Sequence, residues 1–153
     1  MNGNISKIVI MAGLALPTSL PAAASNAADG SKRHERGMKV IERLSGGAGQ
    51  PVLDALRQDY PFLAEGVVAY ALGDVWGRTQ LDDRTRQLAT VAAFAAQGNL
   101  PYLKIHAGYA LRLGVTRDEL KEVIYLTTVT AGFPRAIDAA QALLEVPDPP
   151  AAH

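Results

Sequence analysis

The sequence predicts an all-α protein with six to seven helices. Apolar residues recur with helical spacing in several stretches, and short breaks that contain Gly or Pro separate these stretches. No sustained alternation of apolar and polar residues is present, and no Asn-Gly or Asp-Gly turn joins two alternating segments, so strands are not expected. The length of 153 residues and the hydrophobic content of 48% suit one folded domain.

Residues 1–28 have the pattern of a secretory signal peptide. Lys7 gives a positive start, residues 8–20 are uncharged and mostly apolar, and small residues follow. A membrane-spanning helix needs about 20 apolar residues, and Pro17 and Pro21 interrupt this run. We therefore expect a secreted or periplasmic protein that begins near Ala28 and does not associate with a membrane after processing. The alternative is a cytoplasmic protein with an unprocessed N-terminal tail.

The first half of the mature chain contains three predicted helices. A polar, charged helix at about 32–44 and the Gly-rich linker after it form an N-terminal unit over residues 29–50. A short helix begins at Pro51, and another begins at Pro61 and runs to Gly77, because proline is favoured in the first turn of a helix.

The second half has explicit start and stop signals for four more helices. Asp82 or Asp83 starts a helix at 83–98 that Gly98 ends, and Pro101 starts a helix at 101–113 that Gly114 ends. Thr116 and Glu119 have the spacing of a capping box and start the next helix, and a last helix is expected at about 133–144. We expect residues 51–146 to form one helical domain, followed by a Pro-rich tail at 147–153.

Charge and composition exclude several functional classes. The 15 basic residues balance 15 acidic residues, so no basic surface for nucleic acid is expected. The chain contains no cysteine, which excludes disulfides, thiolate metal sites and thiol redox chemistry. With only three histidines, one of them the last residue, a His-rich metal site is not expected.

Alanine and glycine fill the inward faces of the helices at 83–98 and 101–113. Small side chains bury little apolar area per residue, so a monomer would be only modestly stable. Burial of further surface between copies of the chain would offset this deficit, and we therefore expect self-association.

His106 is the main candidate for chemistry. It shares a helix face with Leu103 and Ala110, so its ring is expected to point inward or into a subunit interface. The alternative is a core histidine that is hydrogen-bonded to a backbone carbonyl, which is the commoner fate of a lone inward histidine.

The order of motifs from Asp74 to Arg135 resembles the carboxymuconolactone decarboxylase family, also called alkylhydroperoxidase-like. The matching pieces cover roughly residues 53 to 143. They are Trp76-Gly77-Arg78, the run LDDRTR at 81–86, Gly114-Val115-Thr116 with Glu119, and Ala131-Gly132-Phe133-Pro134. The resemblance implies an alkylhydroperoxidase-like helical domain that assembles as a trimer or hexamer.

The missing thiols separate this chain from the redox branch of that family. The redox branch has a Cys-x-x-Cys pair seven and four residues before the histidine, where this chain has Asn99 and Tyr102. It also has a glutamate nineteen residues before the histidine, where Gln87 stands. Because peroxide reduction needs a thiolate, peroxidase or peroxiredoxin activity is not expected.

The remaining, decarboxylase branch implies a cofactor-free carboxy-lyase that resembles 4-carboxymuconolactone decarboxylase. Its substrate would be a small anionic molecule, a carboxylated lactone or a related acid. One carboxylate leaves as carbon dioxide, and the electrons pass through a conjugated double bond to the lactone carbonyl, so no metal or organic cofactor is implied. A histidine suits hydrogen bonding to the dienolate or proton delivery, and the arginine fork suits carboxylates. The implied catalytic residues are His106 and Arg84, and the implied substrate-binding residues are Trp76, Arg78, Arg86 and Tyr102.

Other interpretations stay open at this point. Arg78 lies four residues after Asp74 and would pair with it, and Arg84 and Arg86 are two apart, so at most one faces a given pocket. The alternative function is a non-catalytic oligomeric protein of the same fold that binds a small ligand. The two functions differ in whether His106 and an arginine face one pocket with room for an anion. An export signal also leaves room for a substrate other than carboxymuconolactone, whose pathway is cytoplasmic.

Overall fold

A computed structural model describes residues 22–48 and 50–149, and these residues form seven α-helices and one π-helix without a strand. In chain order they are α1 Ala22–Ser45, α2 Pro51–Asp59, α3 Pro61–Glu65, the π-helix Gly66–Trp76, α4 Asp83–Gln97, α5 Leu100–Arg112, α6 Arg117–Thr130 and α7 Phe133–Leu144. The all-α prediction is confirmed. Most of the predicted signal peptide, residues 1–21, and the end of the tail, residues 150–153, lie outside the described residues.

Helix α1 begins ten residues before the predicted start near Lys32. Its first residues, from Ala22, are mostly alanine, which has the highest helix propensity, so the helix extends into the range predicted as signal peptide. Across the described ranges, no helix combines the length and the apolar character needed to cross a bilayer.

The backbones of α1 and the π-helix touch at glycines. A Cβ atom on Gly37 would lie 2.0 Å from the carbonyl oxygen of Val68, and one on Gly73 would lie 2.2 Å from the carbonyl oxygen of Arg33. No side chain larger than hydrogen fits at either position without a shift of the backbone. This contact fixes where the π-helix, and therefore its last residue Trp76, lies relative to the rest of the fold.

The main core lies among α4, α5, α6 and α7. Its fully buried side chains are Val91, Ala95, Leu103, Ala107, Ala110, Leu120 and Ala139. A smaller cluster of Leu53, Ala64 and Val68 joins α2 and α3 to the π-helix. The small inward residues of α4 and α5 allow a close helix pair, as the sequence predicts.

The predicted caps of α4 and α6 are confirmed. The backbone N–H of Thr85 donates to the Asp82 carboxylate at 2.8 Å, and Gly98 ends α4 with a φ of 72°. Thr116 and Glu119 form a complete capping box at the start of α6. These caps fix the ends of α4 and α6.

Candidate active site

Aromatic rings surround His106 on three sides. Trp76, at the end of the π-helix, stacks on the imidazole with a centroid distance of 5.6 Å, and Phe94 of α4 lies at 5.3 Å. Tyr109, three residues later on α5, meets the ring edge-on at 5.6 Å. The imidazole is therefore held in a fixed plane by side chains from three helices.

The polar partner of His106 is the amide of Gln87. The Nδ1 atom of His106 lies 2.9 Å from Oε1 of Gln87, and the Gln87 side chain is fully buried on the inward face of α4. With Oε1 as acceptor, Nδ1 carries the proton and Nε2 is the unprotonated nitrogen. Within the described residues Nε2 makes no hydrogen bond, so it is the ring nitrogen available to a ligand.

Burial lowers the pKa of His106 from 6.5 to about 4. The cause is desolvation of the imidazolium form, because the ring lies among apolar and aromatic side chains and its partner is a neutral amide. His106 is therefore a neutral imidazole at pH 7, with one nitrogen that can accept a proton.

A mostly apolar cavity of about 160 Å³ lies beside His106. Its apolar lining comes from α1, α2, α5 and the π-helix, and its polar lining is limited to four side chains. The apolar residues are Ile41, Leu44, Val52, Leu53, Leu56, Val67, Leu72 and Ile105, and the polar ones are Gln50, Tyr102, His106 and Tyr109. No lysine or arginine of the described residues lines this cavity.

The π-helix helps to shape this cavity. Its hydrogen bonds span five residues instead of four, so Val67 and Leu72, five apart, lie on the same side and both line the cavity. The sequence predicts an ordinary helix through Gly77. The wider turn therefore differs from the prediction in a way that matters for the site.

Arg84, predicted to be catalytic, is engaged away from the cavity. Its guanidinium donates to the Glu119 carboxylate at 2.7 Å and to the carbonyl oxygen of Gly114, and it does not line the cavity beside His106. These bonds tie the start of α4 to the start of α6. The catalytic role of Arg84 stays a prediction.

Arg86 lies near the site but does not line the cavity. Its guanidinium carbon lies 5.8 Å from the centre of the Trp76 ring, and the group donates to the carbonyl oxygens of Val75, Arg78 and Leu81. Arg86 thus holds the turn after the π-helix and the ring that stacks on His106. Of the two arginines, Arg86 is the one that contacts an aromatic ring of the His106 environment, and its role in substrate binding stays a prediction.

The structure does not pair Arg78 with Asp74, which was the alternative left open by their spacing. Asp74 instead binds Arg33 at 2.5 Å and Arg36 at 2.8 Å, both on α1, and the hydrogen bond from Arg33 is the largest cause that lowers the pKa of the carboxyl group. The Arg78 side chain is exposed and does not line the cavity. Cross-helix partners outcompete the local one because α1 lies directly against the π-helix.

Tyr102 and Trp76, both predicted to bind substrate, lie near His106, and only Tyr102 of the two lines the cavity. Tyr102 lines the cavity and stacks on Phe94 at 5.5 Å, and Trp76 stacks on the imidazole itself. The alternative for His106, a core histidine that is hydrogen-bonded to a backbone carbonyl, is wrong, because its partner is the side-chain amide of Gln87.

Comparison of the sequence with known proteins identifies the family of this chain. The Carboxymuconolactone decarboxylase family model matches residues 61–145. The chain belongs to the carboxymuconolactone decarboxylase family. It is 32% identical to a 4-carboxymuconolactone decarboxylase of Acinetobacter baylyi over 118 residues, which are 74% of this chain and 85% of that protein. It is also 32% identical to nitrosuccinic acid decarboxylase npaB of Metarhizium robertsii over 108 residues, 69% of this chain and 74% of that protein.

Within the carboxymuconolactone decarboxylase family, this chain is of the decarboxylase type. Both named relatives are decarboxylases, and the chain has no cysteine for the redox chemistry of the other branch. Among the described residues, no three His, Asp or Glu side chains cluster as metal ligands.

Sequence reasoning missed the contact between Gln87 and His106. From the sequence, Gln87 was noted only as standing where the redox branch has a glutamate. One signal was available, because Gln87 precedes Val91 and Ala95 by four and eight residues and is therefore a polar residue on the apolar face of α4. A buried glutamine needs a partner, and His106 is that partner.

Proposed function

We propose that this protein is a cofactor-free carboxy-lyase that acts on a small carboxylated lactone or a related acid. The observation that supports it best is the neutral imidazole of His106, which is bound through Nδ1 to Gln87 and lies beside an apolar cavity. The relatives named as decarboxylases support the same reaction class.

In the proposed reaction His106 moves one proton. The apolar cavity offers a carboxylate no lysine or arginine of the described residues, so the leaving carboxyl group binds there with its proton, taken up from water. Nε2 takes this proton, the bond between that carboxyl and its neighbouring carbon breaks, and carbon dioxide leaves. The electron pair passes into the conjugated carbonyl system of the substrate, and Nε2 returns the proton to carbon. The pKa of His106, about 4, lies near the ordinary pKa of a carboxylic acid in water.

The apolar cavity favours the loss of carbon dioxide. The carboxylate formed by this transfer has the His106 imidazolium as its charged partner and is otherwise poorly solvated there, whereas carbon dioxide is neutral and suits apolar surroundings. The substrate itself takes the electron pair, so the proposal requires no cofactor.

A non-catalytic ligand-binding protein is the second candidate. The absence of a lysine or arginine from the lining of the cavity, among the described residues, favours it, because a dianion would have no partner there. In that case the cavity would bind a neutral or weakly charged molecule, and His106 would only contribute a hydrogen bond.

Release of carbon dioxide distinguishes the two candidates. The purified protein is incubated with 4-carboxymuconolactone and, separately, with nitrosuccinic acid, alongside the variant His106→Gln. We expect release by the native chain and a loss of at least about 100-fold in the variant, which is the usual contribution of a general acid–base. The control is His34→Gln, an exposed histidine bound to Glu65 on another face.

Two results would contradict the carboxy-lyase proposal. Equal rates in native protein and His106→Gln would remove His106 from the reaction. Binding of these acids without release of carbon dioxide by folded protein would favour the second candidate.

We also propose self-association, as a trimer or hexamer, through an apolar face on α6 and α7. This face exposes Tyr125, Leu126, Val129, Phe133 and Ile137, and Val129 is 84% exposed. Contiguous exposed apolar residues of this kind mark interaction sites. Light scattering after size exclusion is expected to give a multiple of the monomer mass and a smaller particle for Val129→Glu. A monomeric native protein would refute the proposal.

Export is a further proposal that rests on the pattern of residues 1–28. Expression of the full chain in a bacterium, followed by separation of periplasm and cytoplasm, is expected to yield a periplasmic protein that begins near Ala28 or Asp29. Intact mass and N-terminal sequencing give the cleavage position. An unprocessed cytoplasmic chain would support the alternative.

A further inference from the structure

A second, larger cavity lies next to the one beside His106. Its volume is about 540 Å³, within the range of small-molecule sites, and the two cavities share the lining residues Gln50, Val52, Ile105 and Tyr109. The Tyr109 hydroxyl donates to Oε1 of Gln50 at 2.8 Å. This hydrogen bond lies in the wall between the inner cavity and the outer cavity.

The outer cavity contains charged side chains, unlike the inner one. Lys104 is neutralised by Glu145 at 2.8 Å, and Asp148 is neutralised by Arg117 at 2.7 Å. Arg112 has no carboxylate partner among the described residues, and its guanidinium donates to the carbonyl oxygen of Ser45. The outer cavity therefore has one uncompensated positive charge, from Arg112.

Two further groups in the outer cavity are suited to an anion. The hydroxyl of Ser45 is buried in its lining and has no hydrogen-bond partner, although buried hydroxyls normally have one. Helix α2, nine residues long, begins at this cavity with Pro51, and the N–H of Val52 lies in its first turn without an intrahelical acceptor. Both groups donate hydrogen bonds that an anion accepts.

We propose that the outer cavity binds the carboxylate that the substrate retains, with Arg112 as its cationic partner. This inference rests on the proposed carboxy-lyase function. The carboxyl group that leaves lies in the apolar inner cavity beside His106, and the second carboxylate lies in the outer cavity beside Arg112. The two groups of a dicarboxylic substrate would then lie on either side of the shared lining residues Gln50 and Tyr109.

Binding of succinate tests the inference without turnover. Succinate and the uncharged succinamide are titrated into the full chain at pH 7 and low salt, by calorimetry and by the amide shift of Val52. We expect succinate to bind at least about tenfold more tightly than succinamide. Arg112→Gln is expected to weaken succinate binding by about 10- to 100-fold, as for loss of a charged hydrogen bond.

Two further variants control this test. Arg57→Gln removes an exposed arginine that pairs only with Asp54 among the described carboxylates, and its affinity for succinate is expected to be unchanged. Arg112→Lys keeps the positive charge but loses the planar guanidinium, so this variant is expected to bind succinate more tightly than Arg112→Gln does. It also keeps the test valid if Arg112→Gln fails to fold through loss of the bond to Ser45.

The outcomes separate this inference from the proposed function. Succinate binding that depends on Arg112, with no carbon dioxide release from any acid, would support the outer site and contradict the carboxy-lyase proposal. Carbon dioxide release with an unchanged KM in Arg112→Gln would support the enzyme and overturn the outer site. Equal affinity for succinate and succinamide would also overturn it.

Discussion

Replacement of Gln87 by glutamate tests the central contact of the site. The change is nearly isosteric, and it places a carboxylate oxygen where the amide oxygen lies now, 2.9 Å from Nδ1 of His106. The amide leaves the imidazolium form without a counter-charge, whereas a carboxylate would supply one. We therefore expect Gln87→Glu to raise the pKa of His106.

The size of the change follows from two opposing effects. Desolvation already lowers the pKa of His106 from 6.5 to about 4. Two unit charges about 4 Å apart attract by about 4 kcal/mol at an effective dielectric constant near 20, which corresponds to about 3 pKa units. Part of this gain is lost because the new carboxylate is itself buried. We expect a rise of about 2 units, so that His106 titrates near pH 6.

The assay is an NMR titration of the histidine ring protons between pH 3.5 and 8. The chain has only three histidines, so spectra of His106→Gln assign the resonance directly. Gln97→Glu is the matched control, since it makes the same chemical change at an exposed position at the end of α4.

A His106 pKa that stays near 4 in Gln87→Glu would refute this reasoning. It would mean that the buried carboxylate takes up the proton itself and that the pair stays neutral. The same rise in Gln97→Glu would show that a general charge effect, and not the contact with Nδ1, is responsible.

Two other predictions follow from burial and close packing. Since the pKa of His106 is lower in the folded state, the unfolded chain binds more protons than the folded chain between pH 6.5 and about 4. The free energy of unfolding is therefore expected to decrease by up to about 3 kcal/mol as the pH is lowered through this range. Urea unfolding at pH 7 and pH 4.5 measures this loss, which should be smaller in His106→Gln and unchanged in His34→Gln. Gly37→Ala is expected to cost about 2–3 kcal/mol, because the new methyl group would overlap the Val68 carbonyl. Gly66→Ala is its control, as nothing lies within 4 Å of a Cβ there, and an equal loss in both variants would contradict the argument.

The ends of α4 and α6 could be predicted from the sequence because the residues that start and stop these helices act locally. The Asp82 cap, the capping box of Thr116 with Glu119, and the stop at Gly98 each depend on residues within one turn, and all three are confirmed. The π-helix was not predicted, because the apolar spacing of residues 66–76 does not distinguish its wide turn from an ordinary helical turn.

The sequence does not determine which groups the arginine side chains bind, because an arginine fork has many competing partners. A carbonyl group or a carboxylate can satisfy it, and only the packing of the helices decides which one is within reach. Arg84 lies beside Glu119 because the starts of α4 and α6 meet, and Arg112 binds the carbonyl oxygen of Ser45, and no carboxylate of the described residues, because α5 ends beside Ser45. The spacing of residues along one helix predicts neither contact.

The contact between Gln87 and His106 connects the missing thiols with the proposed chemistry. A glutamate beside a histidine can exchange a proton with it, whereas the Gln87 amide only holds the ring and fixes which nitrogen carries the proton. A proton taken up at Nε2 therefore has no second site on Gln87 and returns to the molecule in the cavity. The proposed decarboxylation uses such a proton, which His106 holds while carbon dioxide leaves and then delivers to carbon. Peroxide reduction needs a thiolate, which this chain does not have. The glutamine and the absence of cysteine thus favour the same reaction class for independent physical reasons.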